Sequence, residues 1–361
     1  MAASMKCSSR PSPPRETARI RPEGPAPAAG ARSGRPSLSV IVEWENARLA
    51  EARRSLLMLE ALARQLEEDA AGAAGPRPVE VLILHNPAAV DGRAIEAMLA
   101  RVRPPGGWPA TLRLLASGER GYYEQKNFGA ASSTGEIVLF LDSDVVPEPG
   151  WLGRLLAALE EDPERGVVCG STHVEPEGFY ARAMALFWLF PLRRPEHEDG
   201  LEEVQSFYAN NVAFRRAVIA GNPFPEGLPL FRGQCVLLAR SLRDRGVPIL
   251  RHAGARVAHP PPNGLAHFVN RAMSDGHDEA VRDRLRGRRW PKRAYKSVRD
   301  FGRQMRRVTR RIARDHRAAG LSPASAVGAW GLALAYYGCR LAGRLLSTAD
   351  PGIVRRYFPI S

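Results

Sequence analysis

Four short runs of aliphatic and β-branched residues, three of them followed by a segment of helical periodicity, constrain this chain more than any other feature. Leu38-Ser-Val-Ile-Val42 precedes Leu49, Leu56, Leu59, Leu62 and Leu66, and Gly72 to Pro78 closes that helix. Val79 to Leu84 precedes a helix over Asp91 to Arg101, Thr111 to Leu115 precedes one over Tyr122 to Ser132, and the fourth run is Glu136 to Leu141. Strands alternating with helices dictate an α/β fold, a mostly parallel sheet covered on both faces by helices. In such sheets ligands lie beyond the carboxyl ends of the strands. The informative residues are therefore those after Val42, Leu84, Leu115 and Leu141.

With 361 residues, 44% hydrophobic and 25% charged, the chain can bury one large core or two modest ones, and it is neither wholly disordered nor collagen-like. The net charge of +14 is unevenly spread: +5 over the first 37 residues, −7 over 38–281 and +13 over 282–317. An acidic body with basic ends suits a chain that rests on an anionic surface while its working site handles something else. Residues 1–37 hold seven prolines and no hydrophobic period, and read as a disordered lead-in. That segment has no apolar core for export. Cys7, Cys169, Cys235 and Cys339 form no Cys-x-x-Cys pair, which argues against a zinc knuckle or disulfide framework and fits the reducing cytoplasm.

After Leu141 come Asp142-Ser-Asp144, two carboxylates leaving a buried strand, where negative charge is costly without a cation. Read alone, Asp142 could equally cap the helix that starts near Pro149, with Asp144 in a solvated turn. The surroundings carry more weight. Lys126-Asn-Phe-Gly129, Thr134-Gly-Glu136, Ile137 to Asp144, Pro147 and Trp151-Leu152, together with Ser39 to Val42, Asn46 and Asn210 to Arg215, resemble the family 2 glycosyltransferases of GT-A fold over about residues 38–260.

The resemblance implies that the Asp-x-Asp motif holds Mg²⁺ or Mn²⁺ on the diphosphate of a nucleoside diphosphate sugar. Asp144 is then the direct ligand, Asp142 a contact to ribose or metal with Ser143 beside it, and His259 a further ligand. Glu43, Trp44 and Glu45 stand where relatives contact the base, and Asn86, after His85, stands near their usual uracil contact. Lys126 and Asn127 fall near the nucleotide. Relatives open a later helix with a Glu-Asp pair whose Asp deprotonates the acceptor. Here that helix opens Arg232-Gly-Gln-Cys235, so Gln234 and Cys235 replace both acids. Glu226 is the nearest alternative base in sequence. A Cys235 thiolate beside Arg232 is the other, and Arg232 also suits a phosphate.

Between Arg282 and Arg317, Leu285, Trp290, Tyr295, Val298, Phe301, Met305, Val308 and Ile312 recur at helical spacing among arginines, which predicts basic amphipathic helices broken near Pro291. The uncharged run from Ala324 to Cys339 stops short of the roughly 20 residues of a membrane span. It reads as an interfacial helix with a snorkelling Arg340. The same basic residues would suit RNA or DNA, but the apolar stretch favours an anionic membrane and no nucleic-acid motif is present. Three segments are expected: the lead-in 1–37, a GT-A-like domain 38–280 and a helical tail 281–361. The expected activity is metal-dependent transfer of a sugar to a hydroxyl of a cell-envelope or lipid-linked acceptor, peripheral on the inner face of the cell membrane. The alternative is a non-catalytic relative that binds a nucleotide sugar or a partner protein.

Overall fold

The computed structural model describes residues 35–44, 52–193, 200–287 and 290–359. The expected lead-in therefore lies outside the described residues except at its last three positions. Its first half comprises β1 (Leu38–Glu43), α1 (Ala52–Ala71), β2 (Val79–His85), α2 (Gly92–Arg101), β3 (Thr111–Ala116), α3 (Tyr122–Ser132) and β4 (Ile137–Asp142). The second half continues with β5 (Val146–Pro147), α4 (Trp151–Glu160), β6 (Val167–Val174), α5 (Gly178–Phe187), β7 (Leu201–Glu203), β8 (Asn211–Arg215) and α6 (Arg216–Gly221). It then runs through α7 (Gln234–Asp244), β9 (Leu250–His259), α8 (Gly264–Leu285), α9 (Trp290–Asp315), α10 (Pro323–Ala349) and α11 (Pro351–Tyr357).

One sheet orders its strands β3-β2-β1-β4-β8-β6-β9-β5, with β7 added along β9. β1 to β4 pair in parallel and β8 enters antiparallel to β4. The chain steps outward from β1 to β3 and then crosses back to β4, so the switch point lies between β1 and β4. There Glu43 and Asp142 face each other in register at the strand ends. Continuous apolar runs form these strands because both faces are covered. One core packs α1, α2 and α4 against the sheet around Leu59, Leu62, Trp151 and Leu155. The other lies under α3 and α7 around Phe140, Phe214 and Leu238.

A third apolar cluster changes the expected organisation of the tail. It joins Phe187 of α5, Phe268 of α8, Val308 and Ile312 of α9, and Tyr336 of α10. α8 runs unbroken through residue 280, where the sequence suggests a boundary, and α9 is one helix with Pro291 in its first turn, where proline is tolerated. The apolar stripe predicted for a membrane is partly consumed here: Val308 and Ile312 are buried, whereas Leu285, Tyr295 and Val298 stay exposed. Arg340 does not snorkel outward. It turns to Glu279, and Arg344 pairs with Asp283 at 2.7 Å.

Glycines set the approach of α10 to α8. A Cβ on Gly276 would lie 2.0 Å from the Arg340 carbonyl oxygen, and one on Gly343 would lie 2.2 Å from that of Met273. Both obstacles are backbone, which cannot swing aside. Gly276→Ala is expected to destabilise the protein by about 1–3 kcal/mol or more, read as a lowered midpoint in urea denaturation. An unchanged midpoint would mean that the two helices do not touch in this way.

Candidate active site

α3 begins at Tyr122, where the Glu124 carboxylate accepts from the Gly121 N–H at 3.2 Å and so satisfies one exposed donor of the first turn. Tyr122 and Lys126 are four residues apart and share a helix face. That face meets the end of β4. Tyr122 Oη lies 2.9 and 2.8 Å from the two Asp142 carboxylate oxygens, and Lys126 Nζ donates to Oδ1 at 2.6 Å. The Lys126 side chain is fully buried, with Nζ 4.6 Å from the Tyr122 ring centroid. Its charge is thus held inside by Asp142, and it does not line the cavity as a phosphate contact would. Burial first, then the charge of Asp142, pushes the Tyr122 hydroxyl well above its ordinary range, so it remains a donor.

Asp144 is placed differently. Its Oδ1 is buried and has no hydrogen-bond partner among the described residues. Burial raises its carboxyl above the ordinary aspartate range, against the pull of nearby His259. Arg54 fixes the backbone here: Nε donates to the Asp144 carbonyl at 3.0 Å, one Nη to Ala258 O at 2.7 Å and the other to Glu175 at 2.9 Å. His259 ends β9, and its Nδ1 lies 2.6 Å from the Pro260 carbonyl oxygen. A carbonyl only accepts, so Nδ1 carries the proton and Nε2 keeps its lone pair, the tautomer suited to a metal ligand.

An orphaned carboxylate oxygen beside an imidazole with a free lone pair is a donor set that suits a hard divalent cation. Among the described residues no three His, Cys, Asp or Glu side chains converge into a complete site. A metal held by Asp144 and His259 would therefore need ligand oxygens and water for the rest of its shell.

These groups open on a cavity of about 690 Å³ lined by Tyr122, Tyr123, Asp142, Asp144, Arg232, Cys235 and His259. Its opposite wall comes from the expected tail. His267, Arg271, Asp275, Asp278 and Arg282 of α8 line it, joined by Gln304 and Arg311 of α9 and by Tyr336, Tyr337 and Arg340 of α10. The α8 residues recur every three or four positions, so they form one polar stripe. That spacing is readable in the sequence, but the stripe is not among the residues picked out there.

Several expected site residues lie elsewhere. Trp44 is 1% exposed and packs in the core beside α1, which leaves no face for a base. Glu43 and Ser143 are buried at the strand ends, where the Ser143 N–H donates to the Glu43 carbonyl at 3.0 Å. Asn86 accepts from the Ala88 N–H at 3.0 Å and shapes the turn after β2. Asn127 donates to Phe224 O at 2.8 Å and to Glu226 Oε1 at 2.7 Å. Glu226 is exposed and outside the cavity wall, so it is not placed to take an acceptor proton. Glu45 lies outside the described residues.

At the head of α7, Gln234 is buried with Oε1 unpartnered, and Cys235 Sγ accepts from Tyr123 Oη at 3.2 Å. Burial pushes the Cys235 thiol up, which disfavours a thiolate. The Arg232 guanidinium lies 3.9 Å above the Tyr122 ring.

A family model described as glycosyl transferase family 2 matches residues 58–220, from α1 to α6. Glucosyl-dolichyl phosphate glucuronosyltransferase of Haloferax volcanii is 30% identical over 105 residues, 27% of this chain and 32% of its own length. The match thus spans about a third of that relative. Among solved structures, a mannosyltransferase from Pyrobaculum calidifontis in complex with GDP-Man and Mn²⁺ is 22% identical, with 94% of this chain and 92% of that one covered and a TM-score of 0.48. GalNAc-T7 with UDP, GalNAc and Mn²⁺ is 12% identical over 69% of this chain and 51% of that one, with a TM-score of 0.45.

The Lys126–Asp142 pair generates a test. Removing one partner of a buried ion pair strands the other charge, at a cost of roughly 3–5 kcal/mol. Lys126→Met is expected to lower stability by that order in urea denaturation near neutral pH. A variant as stable as the parent would show that the pair is not closed in the folded protein.

Proposed function

We propose that the chain, whose residues 58–220 match the glycosyl transferase family 2 model, transfers a sugar from a nucleoside diphosphate sugar to an acceptor oxygen with a divalent metal at Asp144. The observation that carries this reading is the buried, unpartnered Oδ1 of Asp144 facing a cavity beyond the switch point of the sheet. When bound, Mg²⁺ or Mn²⁺ would offset the charge that grows on the departing diphosphate.

The chain's own residues do the rest. Asp144 and His259 hold the cation, and Arg54 keeps the Asp144 backbone in place. Lys126 neutralises Asp142 and the Tyr122 hydroxyl donates to it, so that its carboxylate is oriented at the strand end. Arg232, stacked on Tyr122, brings a fixed positive charge to the same cavity. Isothermal titration of the full chain with a panel of nucleoside diphosphate sugars and Mn²⁺ tests the reading. One donor is expected to bind, and Asp144→Ala or chelation is expected to weaken binding at least tenfold. Unchanged binding in Asp144→Ala refutes it. Release of nucleoside diphosphate by the parent separates an enzyme from a binding module.

The same reading places the protein on the anionic inner face of the cell membrane, with a carbohydrate or lipid-linked acceptor. No helix among the described residues is long and apolar enough to cross a membrane. Instead α10 keeps an outward face without charge: Val327 is 70% exposed and Leu334 40%, while Arg340 and Arg344 turn inward to acids. Trp330 Nε1 donates to Thr309 Oγ1 at 3.0 Å, which sets this face beside α9 with its exposed Arg306, Arg307 and Arg310. Each basic side chain near anionic headgroups contributes about 1 kcal/mol. Flotation with phosphatidylserine vesicles is expected to recover the parent at low salt and to lose Val327→Asp/Leu334→Asp. Recovery of that double variant equal to the parent would overturn the assignment. Deleting the tail is a poor test, because α9 and α10 belong to the third core.

A further inference from the structure

A histidine that ligates through Nε2 must keep that lone pair on one line, yet the torsion that turns its ring has broad wells. The hydrogen bond from His259 Nδ1 to the Pro260 carbonyl selects the tautomer. It reaches only to the next residue, so the plane of the ring is set by what packs against it. Among the described residues, two aromatic side chains flank the ring closely. The Phe190 ring centroid lies 4.6 Å from that of the imidazole, tilted by 38°, and the Trp188 centroid lies 5.7 Å away at 65°. Trp188 and Phe190 are 5.3 Å apart at 88°, so the three rings close a triangle. Both aromatics are buried.

The triangle is held in turn from outside. Phe190 meets Tyr208 edge to face at 4.8 Å, and Tyr208 Oη donates to the Leu189 carbonyl at 3.3 Å. The Trp188 indole N–H donates to Tyr336 Oη at 2.9 Å, and Tyr336 gives its own proton to Asp275 Oδ2 at 2.6 Å. A hydroxyl has one proton to give and lone pairs to accept with, so the two bonds together fix the indole, the phenol and the carboxylate in series. Trp188 and Phe190 follow α5, His259 ends β9, Asp275 belongs to α8 and Tyr336 to α10. Filling a core asks for apolar bulk at positions 188 and 190. It does not ask for an indole N–H tied through a tyrosine to an acid on another helix.

We propose that Phe190 and Trp188 are positioning residues for the metal ligand His259, and that Tyr336 of α10 fixes Trp188 in that role. This rests on the metal reading above and adds the origin of the ligand's geometry. The aromatic residues act through His259, since aromatic neighbours that meet at defined angles limit how far its ring can turn. Tyr336 and Asp275 lie beyond the family-matched stretch, so the last helices reach the metal side of the cavity as well as its far wall.

The full chain is titrated calorimetrically with Co²⁺, which favours an imidazole ligand, and with Ca²⁺, which takes oxygen ligands. Phe190→Leu keeps bulk and loses the ring, and Tyr336→Phe keeps the ring and loses the link. Each is expected to weaken Co²⁺ binding at least fivefold and to change Ca²⁺ binding less than twofold. Ile312→Ala, which thins the same core away from these rings, is expected to lower the urea midpoint and keep the Co²⁺ affinity. Parent Co²⁺ affinity in either ring variant, or equal loss of both metals, overturns the proposal. A second readout needs no metal. In ring-¹⁵N histidine spectra of the metal-free chain, with the His259 signals identified by their loss in His259→Ala, the parent is expected to show the Nδ1–H tautomer and Phe190→Leu a mixture of tautomers. Unchanged ring signals in Phe190→Leu overturn the proposal. A parent that binds neither metal while the ring signals do change refutes the metal reading and supports the placement of His259 by its aromatic neighbours.

Discussion

The contact between Lys126 and Asp142 carries more of this architecture than its size suggests. A carboxylate buried to 3% exposure at the end of β4 would be costly alone. The ammonium group brought by α3 offsets that cost only if helix and strand end are held in one relative position, and the Tyr122 hydroxyl on the same helix face adds a second donor to the carboxylate. Gly129 allows the approach further along α3, where a Cβ would lie 2.6 Å from Ile41 and 2.7 Å from Leu84. With Asp142 satisfied from within, Asp144 is left as the acid of the motif without a hydrogen bond on Oδ1. The two aspartates share a motif and both line the cavity, but Asp142 meets a lysine and a tyrosine whereas Asp144 Oδ1 has no hydrogen-bond partner among the described residues.

A second constraint acts from the far side. α8 carries small and apolar residues toward α10 and its polar stripe toward the cavity, so the same helix closes the third core and supplies the cavity wall that faces the strand ends. The glycine contacts at Gly276 and Gly343 place α10 near enough for Tyr336 to reach Asp275. The site is thus built between the sheet and helices that lie beyond the family-matched stretch.

The strands and the first helices are legible in the sequence, since continuous β-branched runs and a three-to-four spacing have few other readings. So is the strand-end motif. Other features are not, for definable reasons. An aromatic after a strand reads equally as a base platform or as core, and Trp44 is core because α1 covers it. Proximity in sequence suggested Glu226, but Asn127 binds it away from the cavity. The amphipathic period of α9 reports that one side is apolar, not what covers it. Here part of that side meets α5 and α10, while Tyr295 and Val298 stay exposed.

The polarity of the cavity follows from these placements. Its sheet side offers the Asp144 carboxylate, whose Oδ1 has no hydrogen-bond partner among the described residues, and its helical side offers Arg271, Arg282, Arg311 and Arg340 beside Asp275 and Asp278. Fixed charges of opposite sign on facing walls favour a ligand whose own charge is unevenly distributed, and because packing sets them they need no rearrangement when it binds.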